Sequence, residues 1–245
     1  MILARADGPI AVISLNRPDK RNAMTPEMLS ALRRAIADAA PSRALLLTGE
    51  GKVFCGGFDL KLCLEQPGTL EDLLRGLHDC IQDLRSLPIP VVIAAHSAAI
   101  AGGCALLGGA DFIVTDAAAK LGYPVLPLGI SPAVSAPFLR LLVGDGHARA
   151  RLLDPALISG REALSIGLVS DCTSAAPEVL PRALEIARAL ADKPPAALSA
   201  TRAWLGELEE SFGSPPAAAA LHASLALAGS DEERDRLRTL FAPRP

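Results

Sequence analysis

Two short glycine turns are the features of this sequence with the clearest chemical potential. One lies in "FCGGFDL" at residues 54–60 and the other in "IAGGCAL" at residues 100–106, and each follows a strand-like apolar run. Glycine after a strand lets backbone N–H groups face a ligand, although a single pair more often marks only tight packing or a turn. Two such turns whose N–H groups met in a dry pocket would stabilise a developing oxyanion by several kcal/mol.

The polar side chains near these turns each have a functional and a structural interpretation. Asp59 is a candidate acid or base, but it is also well placed to cap a helix that begins at residue 60. His96 ends a strand, where it is expected to bind a backbone carbonyl, with proton transfer as the alternative. Tyr123, the one tyrosine of the chain, is expected to donate to a ligand or to satisfy a core carbonyl. Cys104 is interpreted as a small buried apolar residue, and His78 as a partly exposed helix residue.

The elements that must hold these turns alternate between strands and helices. Strands are predicted over 9–15, 43–49, 90–95 and 111–115, and helices over 25–40, 69–87 and 103–109. Thr25 is predicted to cap the first of these helices, with Pro26 at its first position. This alternation predicts an α/β layer arrangement with crossover connections.

The second half of the chain divides less regularly. Residues 121–139 lack charge but contain four prolines, so they are predicted to form loop and short pieces in the interior or around a pocket. After Gly144 the pattern is helical nearly to the end, and we predict a core domain over 1–185 and a helical subdomain over 186–245. The uncharged stretch 86–110 contains two prolines, a histidine and a Gly-Gly pair, which favours a buried strand, turn and helix over a membrane span.

Composition excludes several classes of function. The chain has 245 residues, 50% of them hydrophobic, which is ample for a sizeable core. A net charge of -3 without a basic cluster argues against nucleic-acid binding. The five cysteines are scattered without a CxxC pair, so we expect reduced thiols, no disulfides, no metal site and a cytoplasmic location. No signal peptide is predicted.

Taken in order, the motifs "ISLNRPDKRNAM", "GKVFCGGFDL", "PIPVVIAAHSAAIAGGCALLGGADFIV", "AAKLGY" and "LISGREALSIGLVS" resemble the crotonase or enoyl-CoA hydratase/isomerase superfamily. The segment 122–144 is most similar to its methylglutaconyl-CoA hydratase-like branch. The resemblance implies a spiral of ββα units and a helical C-terminal region that forms trimers or a dimer of trimers. It also implies an acyl-CoA thioester as ligand, a role in fatty acid metabolism, and no cofactor apart from the coenzyme A of the substrate.

The same resemblance assigns roles to individual residues. It places the N–H groups that polarise the thioester carbonyl at Phe58 and Gly102. Two glutamates that family hydratases use fall on Ala105 and Val125, which cannot titrate. The expected coenzyme A contacts are Arg21, Ala23, Gly56, Gly57, Lys61 and Gly103.

Three hypotheses for function follow. The first is an acyl-CoA enzyme, such as a decarboxylase, that uses the oxyanion pair without the usual glutamates. The second is a hydratase or isomerase of the lyase or isomerase class whose acid comes from elsewhere, such as Asp59 or a neighbouring subunit. The third is a protein that binds acyl-CoA without turnover. A pocket lined by converging polar groups would favour catalysis, and a wholly apolar one would favour binding alone.

Overall fold

The computed structural model describes residues 1–211 and 217–242, with the backbone alone at 209–211 and 217–218. In the first half of the chain every predicted strand and helix is present, and three further strands, over 2–7, 98–100 and 120–122, adjoin predicted ones. The strands are β1 (Ile2–Asp7), β2 (Ile10–Leu15), β3 (Ala44–Gly49), β4 (Val91–Ala94), β5 (Ala98–Ile100), β6 (Phe112–Asp116), β7 (Lys120–Gly122), β8 (Ile158–Ser159) and β9 (Asp171–Thr173). The helices are α1 (Pro26–Asp38), α2 (Leu60–Glu65), α3 (Thr69–Ser86), α4 (Gly102–Leu106), α5 (Ala136–Leu153), α6 (Gly160–Ser165), α7 (Val179–Ala191), α8 (Pro195–Ser211), α9 (Ala217–Leu225) and α10 (Asp231–Phe241).

Two sheets organise the α/β fold. The larger sheet has the strand order β1-β2-β3-β4-β6-β9. The pair β1-β2 is antiparallel and the remaining pairs are parallel. Between two neighbouring parallel strands, the chain therefore returns to the end of the sheet at which the strands begin. The smaller sheet has the order β5-β7-β8, and three residues separate the end of β4 from the start of β5. The predicted α/β class with crossover connections is confirmed.

The larger sheet is covered on both faces. Leu45 and Leu47 of β3 belong to the main core with α1 and α3, whereas Leu46 belongs to a second core under α7. Successive strand residues point to opposite faces, so a strand buried on both sides must be apolar throughout. The run "ALLLTG" has that character, and its first five residues are all buried.

The first long helix begins where its sequence predicts. The Thr25 hydroxyl accepts a hydrogen bond from Met28 N–H (3.3 Å), and Pro26 occupies the first helical position, where no intrahelical N–H donor is needed. The buried residues of this helix recur at helical spacing and form one apolar face towards the core: Met28, Leu29, Leu32 and Ile36.

The second half of the chain departs from the prediction of continuous helix after Gly144. Helix α5 begins earlier, at Ala136, and Gly144 interrupts its helical geometry with a φ of 72°. The strands β8 and β9 follow, and only then the helices from α7 to the C-terminus of the described residues. Strands of two or three residues are too short to show a period of two, so their pairing with β7 and β6 determines them.

Residues 121–139 form no single helix, as their prolines predict. They contain the end of β7, two short 3-10 turns (Leu126–Leu128 and Pro132–Ser135) and the start of α5. The predicted domain boundary at 185/186 falls inside α7, which packs along its length on the larger sheet, and it stays a prediction.

The uncharged stretch 86–110 resolves into short elements. It holds β4, β5, α4 and the turns between them, and β4 and α4 are buried along their lengths. No helix among the described residues combines the length and hydropathy needed to cross a membrane.

Candidate functional site

The two glycine turns lie side by side because a backbone bridge joins them. Cys55 N–H donates to the Ala98 carbonyl (3.1 Å), and the Cys55 carbonyl accepts from Ile100 N–H (3.0 Å). The first turn therefore runs parallel to β5, the strand that leads into the second turn. This pairing depends on residues far apart in sequence, and it makes one site of two local motifs.

A second bridge fixes the residues on either side of Phe58. Met24 N–H donates to the Gly57 carbonyl (2.8 Å), and the Met24 carbonyl accepts from Asp59 N–H (3.0 Å). The peptide groups before and after Phe58 are thus both bonded to one residue of the loop that precedes α1. In this arrangement the Phe58 N–H group takes no part in the backbone hydrogen bonds between Met24 and residues 57–59.

The glycines of the second turn are required by close packing. A Cβ atom on Gly102 would lie 2.7 Å from Met24 Cε and 2.8 Å from Phe58 Cε1. A Cβ atom on Gly103 would lie 2.7 Å from both Cβ and the carbonyl oxygen of Cys55. A larger residue at Gly103 would force the start of α4 away from the first turn, because it would meet the backbone of Cys55, whereas one at Gly102 would displace the side chains of Met24 and Phe58.

Both N–H groups expected to polarise a carbonyl have no acceptor among the described residues. Phe58 N–H makes no hydrogen bond there, and Gly102 is the first residue of α4, where no carbonyl one turn earlier can accept. Ala101, directly before it, has φ 50° and ψ -114°, a conformation that favours glycine. Its N–H donates to the Gly122 carbonyl (2.8 Å), which holds the strained residue in place.

Phe58 and Gly102 line the same cavity, which has a volume of about 210 Å³. Its wall comes from the two glycine turns, from α3, from α4 and from the proline-rich segment after β7. The lining residues are Gly56, Phe58, Leu60, Leu74, Leu77, Ile100, Ala101, Gly102, Ala105, Tyr123, Pro124, Val125, Leu128, Ile130, Ser131, Pro132, Val134 and Ser135.

The wall is apolar apart from three hydroxyl side chains. Among the described lining residues there is no carboxylate, imidazole or cation, and Tyr123, Ser131 and Ser135 carry the polar atoms. Burial raises the pKa of Tyr123 well above its usual 10, with Cys104 adding to the rise and Ser135 opposing it. The phenol therefore stays protonated near neutral pH and can donate a hydrogen bond.

A model of the family described as enoyl-CoA hydratase/isomerase matches residues 5–222 of the chain. The chain belongs to that family. An enoyl-CoA isomerase/hydratase of Zymoseptoria tritici is 32% identical over 228 residues, which cover 84% of this chain and 74% of that protein. A Thermus thermophilus protein named for enoyl-CoA hydratase activity is 35% identical over 193 residues, 76% of this chain and 74% of its own.

Solved structures of enoyl-CoA hydratase/isomerase proteins have the same fold. One from Xanthobacter autotrophicus Py2 superposes with a TM-score of 0.87 at 29% identity and covers 97% of this chain and 94% of that one. The similarity therefore extends beyond the motifs to nearly the whole chain, including the helical C-terminal region.

Within this enoyl-CoA hydratase/isomerase family member, Ala105 and Val125 both lie on the cavity wall. Ala105 sits in α4, three residues after Gly102, and Val125 precedes the turn Leu126–Leu128. A carboxylate at either position would face the cavity from the side of the second glycine turn or from the loop opposite. The side chains present there can neither accept nor donate a proton.

Neither Asp59 nor His96 lines the cavity. The predicted cap at Asp59 is wrong: the residue occupies the position before α2, but its side chain makes no capping hydrogen bond. It instead accepts from Arg17 Nη2 (3.1 Å), because a charged partner attracts a carboxylate more strongly than a neutral amide does. His96 Nε2 lies 3.2 Å from the Gly51 carbonyl oxygen, as the structural interpretation predicts.

The residues expected along the coenzyme A path are partly brought together. The Arg21 carbonyl accepts from Gly56 N–H (2.8 Å), so Arg21 adjoins a residue of the cavity wall, and its own side chain is exposed. The Ala23 carbonyl accepts from Arg17 Nη1. Lys61 is exposed on α2 and pairs with Glu65 (3.6 Å), and it does not line the cavity.

Sequence reasoning missed two contributors to the site. Leu74 and Leu77 of α3 form part of the wall, but their spacing on an amphipathic helix is equally typical of residues in a solid core. Arg17 connects the loop before α1 to Asp59, beside Phe58. Arg17 lies in the "NRP" motif, but the sequence alone does not distinguish an arginine that forms this ion pair from an exposed one.

Proposed function

We propose that this protein binds an acyl-CoA thioester in the cavity and polarises its carbonyl group with the N–H groups of Phe58 and Gly102. The observation that carries the proposal is that these two residues, whose N–H groups have no acceptor in the part of the chain that the structure describes, line one apolar cavity. A thioester oxygen placed between them would accept two hydrogen bonds. Each preorganised donor of this kind contributes about 3–4 kcal/mol to stabilising an oxyanion.

The same cavity argues against hydration by a pair of glutamates. Adding water across a double bond requires one group that activates the water and another that delivers a proton to the α-carbon. Ala105 and Val125 supply neither, and the hydroxyl groups of Tyr123, Ser131 and Ser135 are too weak as bases near neutral pH. Loss of CO2 from a carboxylated acyl group remains within reach of the site, because the electron pair of the broken C–C bond passes into an enolate that the two backbone donors stabilise, and the enolate then takes its proton from water.

Binding without turnover is the second candidate, and the apolar wall favours it. A cavity whose described lining carries no ionisable side chain is suited to holding an acyl group dry rather than to moving its protons. The two candidates share the ligand and the polarised carbonyl and differ in whether a product forms. Assembly into a homotrimer or a dimer of trimers and a cytoplasmic location stay predictions from sequence.

The test is to incubate the purified protein with crotonyl-CoA, malonyl-CoA and glutaconyl-CoA and to determine the molecular masses of the products by mass spectrometry. Polarisation of the carbonyl is measured separately by vibrational spectroscopy. The carbonyl stretch of butyryl-CoA, labelled with ¹³C at the thioester carbonyl, should shift to lower frequency when the ligand binds. S-butyl-CoA, a thioether without the carbonyl, is the matched ligand and should bind more weakly.

We expect a carbonyl shift and no gain of water. Loss of CO2 from malonyl-CoA or glutaconyl-CoA would support catalysis by the backbone donors alone, and a shift without any product would support binding alone. Gain of water by crotonyl-CoA would contradict the proposal, as would equal binding of the thioether and the thioester.

A further inference from the structure

Two buried hydroxyl groups stand out on the otherwise apolar wall of the cavity. Tyr123 and Ser135 are each 3% exposed, and both line the cavity. Tyr123 directly follows β7 and Ser135 directly precedes α5, and the pKa of the Tyr123 phenol, which burial raises, responds also to Cys104 and, less strongly, to Ser135. The third hydroxyl of the wall, on Ser131, already accepts a hydrogen bond from Ala133 N–H (3.3 Å) and caps the turn that follows it.

The surroundings of this hydroxyl pair determine which ligand group it can accept. The lining residues that the structure describes include no arginine, lysine or histidine to neutralise an anion. Moving a carboxylate out of water into such a wall is costly without a counter-charge. A hydroxyl or a ketone oxygen carries no net charge, and it can exchange its hydrogen bonds with water for hydrogen bonds with a phenol and a serine.

We propose that the Tyr123 and Ser135 hydroxyls form a binding site for a neutral oxygen atom on the acyl group, so that hydroxyacyl-CoA or oxoacyl-CoA is preferred over both unsubstituted and carboxylated acyl-CoA. The inference rests on the acyl-CoA binding proposed above. It assigns the hydroxyl pair to the acyl chain, whereas the two backbone donors are assigned to the thioester carbonyl.

The size of the cavity is compatible with a short acyl group. At about 10–15 Å³ of cavity volume for each water-sized group, a cavity of about 210 Å³ has room for an acyl group of four or five carbons with one oxygen. Among the described lining residues, the hydroxyl groups are where such an oxygen finds hydrogen-bond partners.

The experiment is a calorimetric comparison of dissociation constants for butyryl-CoA, 3-hydroxybutyryl-CoA, 4-hydroxybutyryl-CoA, 3-oxobutyryl-CoA and succinyl-CoA, using the full chain. One neutral hydrogen bond changes affinity by about 2- to 12-fold. We expect at least one hydroxy or oxo compound to bind more tightly than butyryl-CoA by about that factor, and succinyl-CoA to bind more weakly than butyryl-CoA.

Tyr123→Phe and Ser135→Ala test the assignment, and Ser14→Ala is the control. Ser14 is a buried serine of β2 that does not line the cavity. The ratio of the dissociation constant for butyryl-CoA to that for the oxygenated ligand should fall towards one in Tyr123→Phe and in Ser135→Ala. The same ratio should be unchanged in Ser14→Ala. If Tyr123→Phe fails to fold, Ser135→Ala alone decides.

Equal affinities across the panel in the unaltered protein would overturn the inference, and so would a preference that survives both substitutions or tightest binding of succinyl-CoA. Each of these results leaves acyl-CoA binding itself intact. Failure of every thioester to bind would instead refute the proposed function, so the two failures are distinguishable.

Discussion

Replacing Ala101 with glycine should make this protein more stable. Ala101 has a φ of 50° and a ψ of -114°, which an L-residue with a Cβ atom adopts only under strain. Its N–H donates to the Gly122 carbonyl, and its carbonyl accepts from Ala105 N–H (2.9 Å), so the surrounding structure holds the conformation in place. Glycine adopts the same backbone angles without steric cost and would leave both hydrogen bonds unchanged.

The expected gain follows from two opposing contributions. A non-glycine residue in such a region stores about 1–3 kcal/mol of strain, which the substitution releases. Against this, glycine increases the conformational entropy of the unfolded chain at a cost of about 0.4–1 kcal/mol. The free energy of unfolding should therefore rise by about 0.5–2 kcal/mol, and for a chain of this size each kcal/mol raises Tm by about 2–4 °C.

Urea unfolding followed by circular dichroism, at one fixed protein concentration, measures the change. Ala98→Gly is the matched control, because Ala98 lies in β5 three residues earlier, is also half-buried, and does not have a positive φ. That control should lose about 0.5–1 kcal/mol, the usual cost of glycine in a strand. A loss of stability in Ala101→Gly equal to that of Ala98→Gly would refute the argument that Ala101 is strained.

Two further predictions concern charged and titratable groups outside the cavity. Asp59→Asn should lower the free energy of unfolding by about 1–2 kcal/mol, because Arg17 and Asp59 are both about one-fifth exposed and removing one charge leaves the other poorly solvated. A double-mutant cycle with Arg17→Gln should then show a coupling energy, and strict additivity would contradict a direct interaction. Burial lowers the pKa of His78 below its usual 6.5, against an opposing effect of Asp79. The imidazole of His78 therefore binds a proton more readily in the unfolded chain than in the folded one. The stability that neutral His78 contributes is complete above about pH 6.5, and it is lost as the pH falls below that value. In urea unfolding from about pH 7.5 to about pH 5.5, His78→Gln should show a smaller fall in stability than the unaltered protein, and an unchanged fall would count against the assignment.

Local signals in the sequence were sufficient wherever a structure depends on neighbouring residues. Helix α1 begins at Pro26 with Thr25 as its cap, and the apolar runs of β3 and β4 form the centre of the larger sheet. In each case the decisive interactions lie within a few positions of one another, or depend on a periodicity that the segment itself displays. Most strands and helices of the first half of the chain were predictable for this reason, but β1, β5 and β7 were not predicted.

Interactions between distant parts of the chain were not predictable in the same way. The choice between a helix cap and an ion pair at Asp59 depends on Arg17, which lies 42 positions earlier. Strands β8 and β9 exist because β7 and β6 offer them an edge, and their own sequences carry no strand pattern. The wall formed by Leu74 and Leu77 depends on an empty space, and no property of a leucine in sequence tells whether its neighbour is another side chain or a cavity.

The candidate site combines two kinds of components that depend on the fold in different ways. The backbone donors exist only while Gly102 and Gly103 allow α4 to approach the first turn, so a substitution there would disrupt packing as well as binding. Ala105 and Val125 are under no such constraint, because small apolar side chains fit a buried wall and leave no charge to solvate. A wall without acid-base side chains is therefore compatible with a stable fold, whereas a change in the backbone geometry of the two turns is not. The proposed binding and polarisation of a thioester depend on that geometry, and the proposed absence of hydration depends only on two side chains that the fold leaves free to vary.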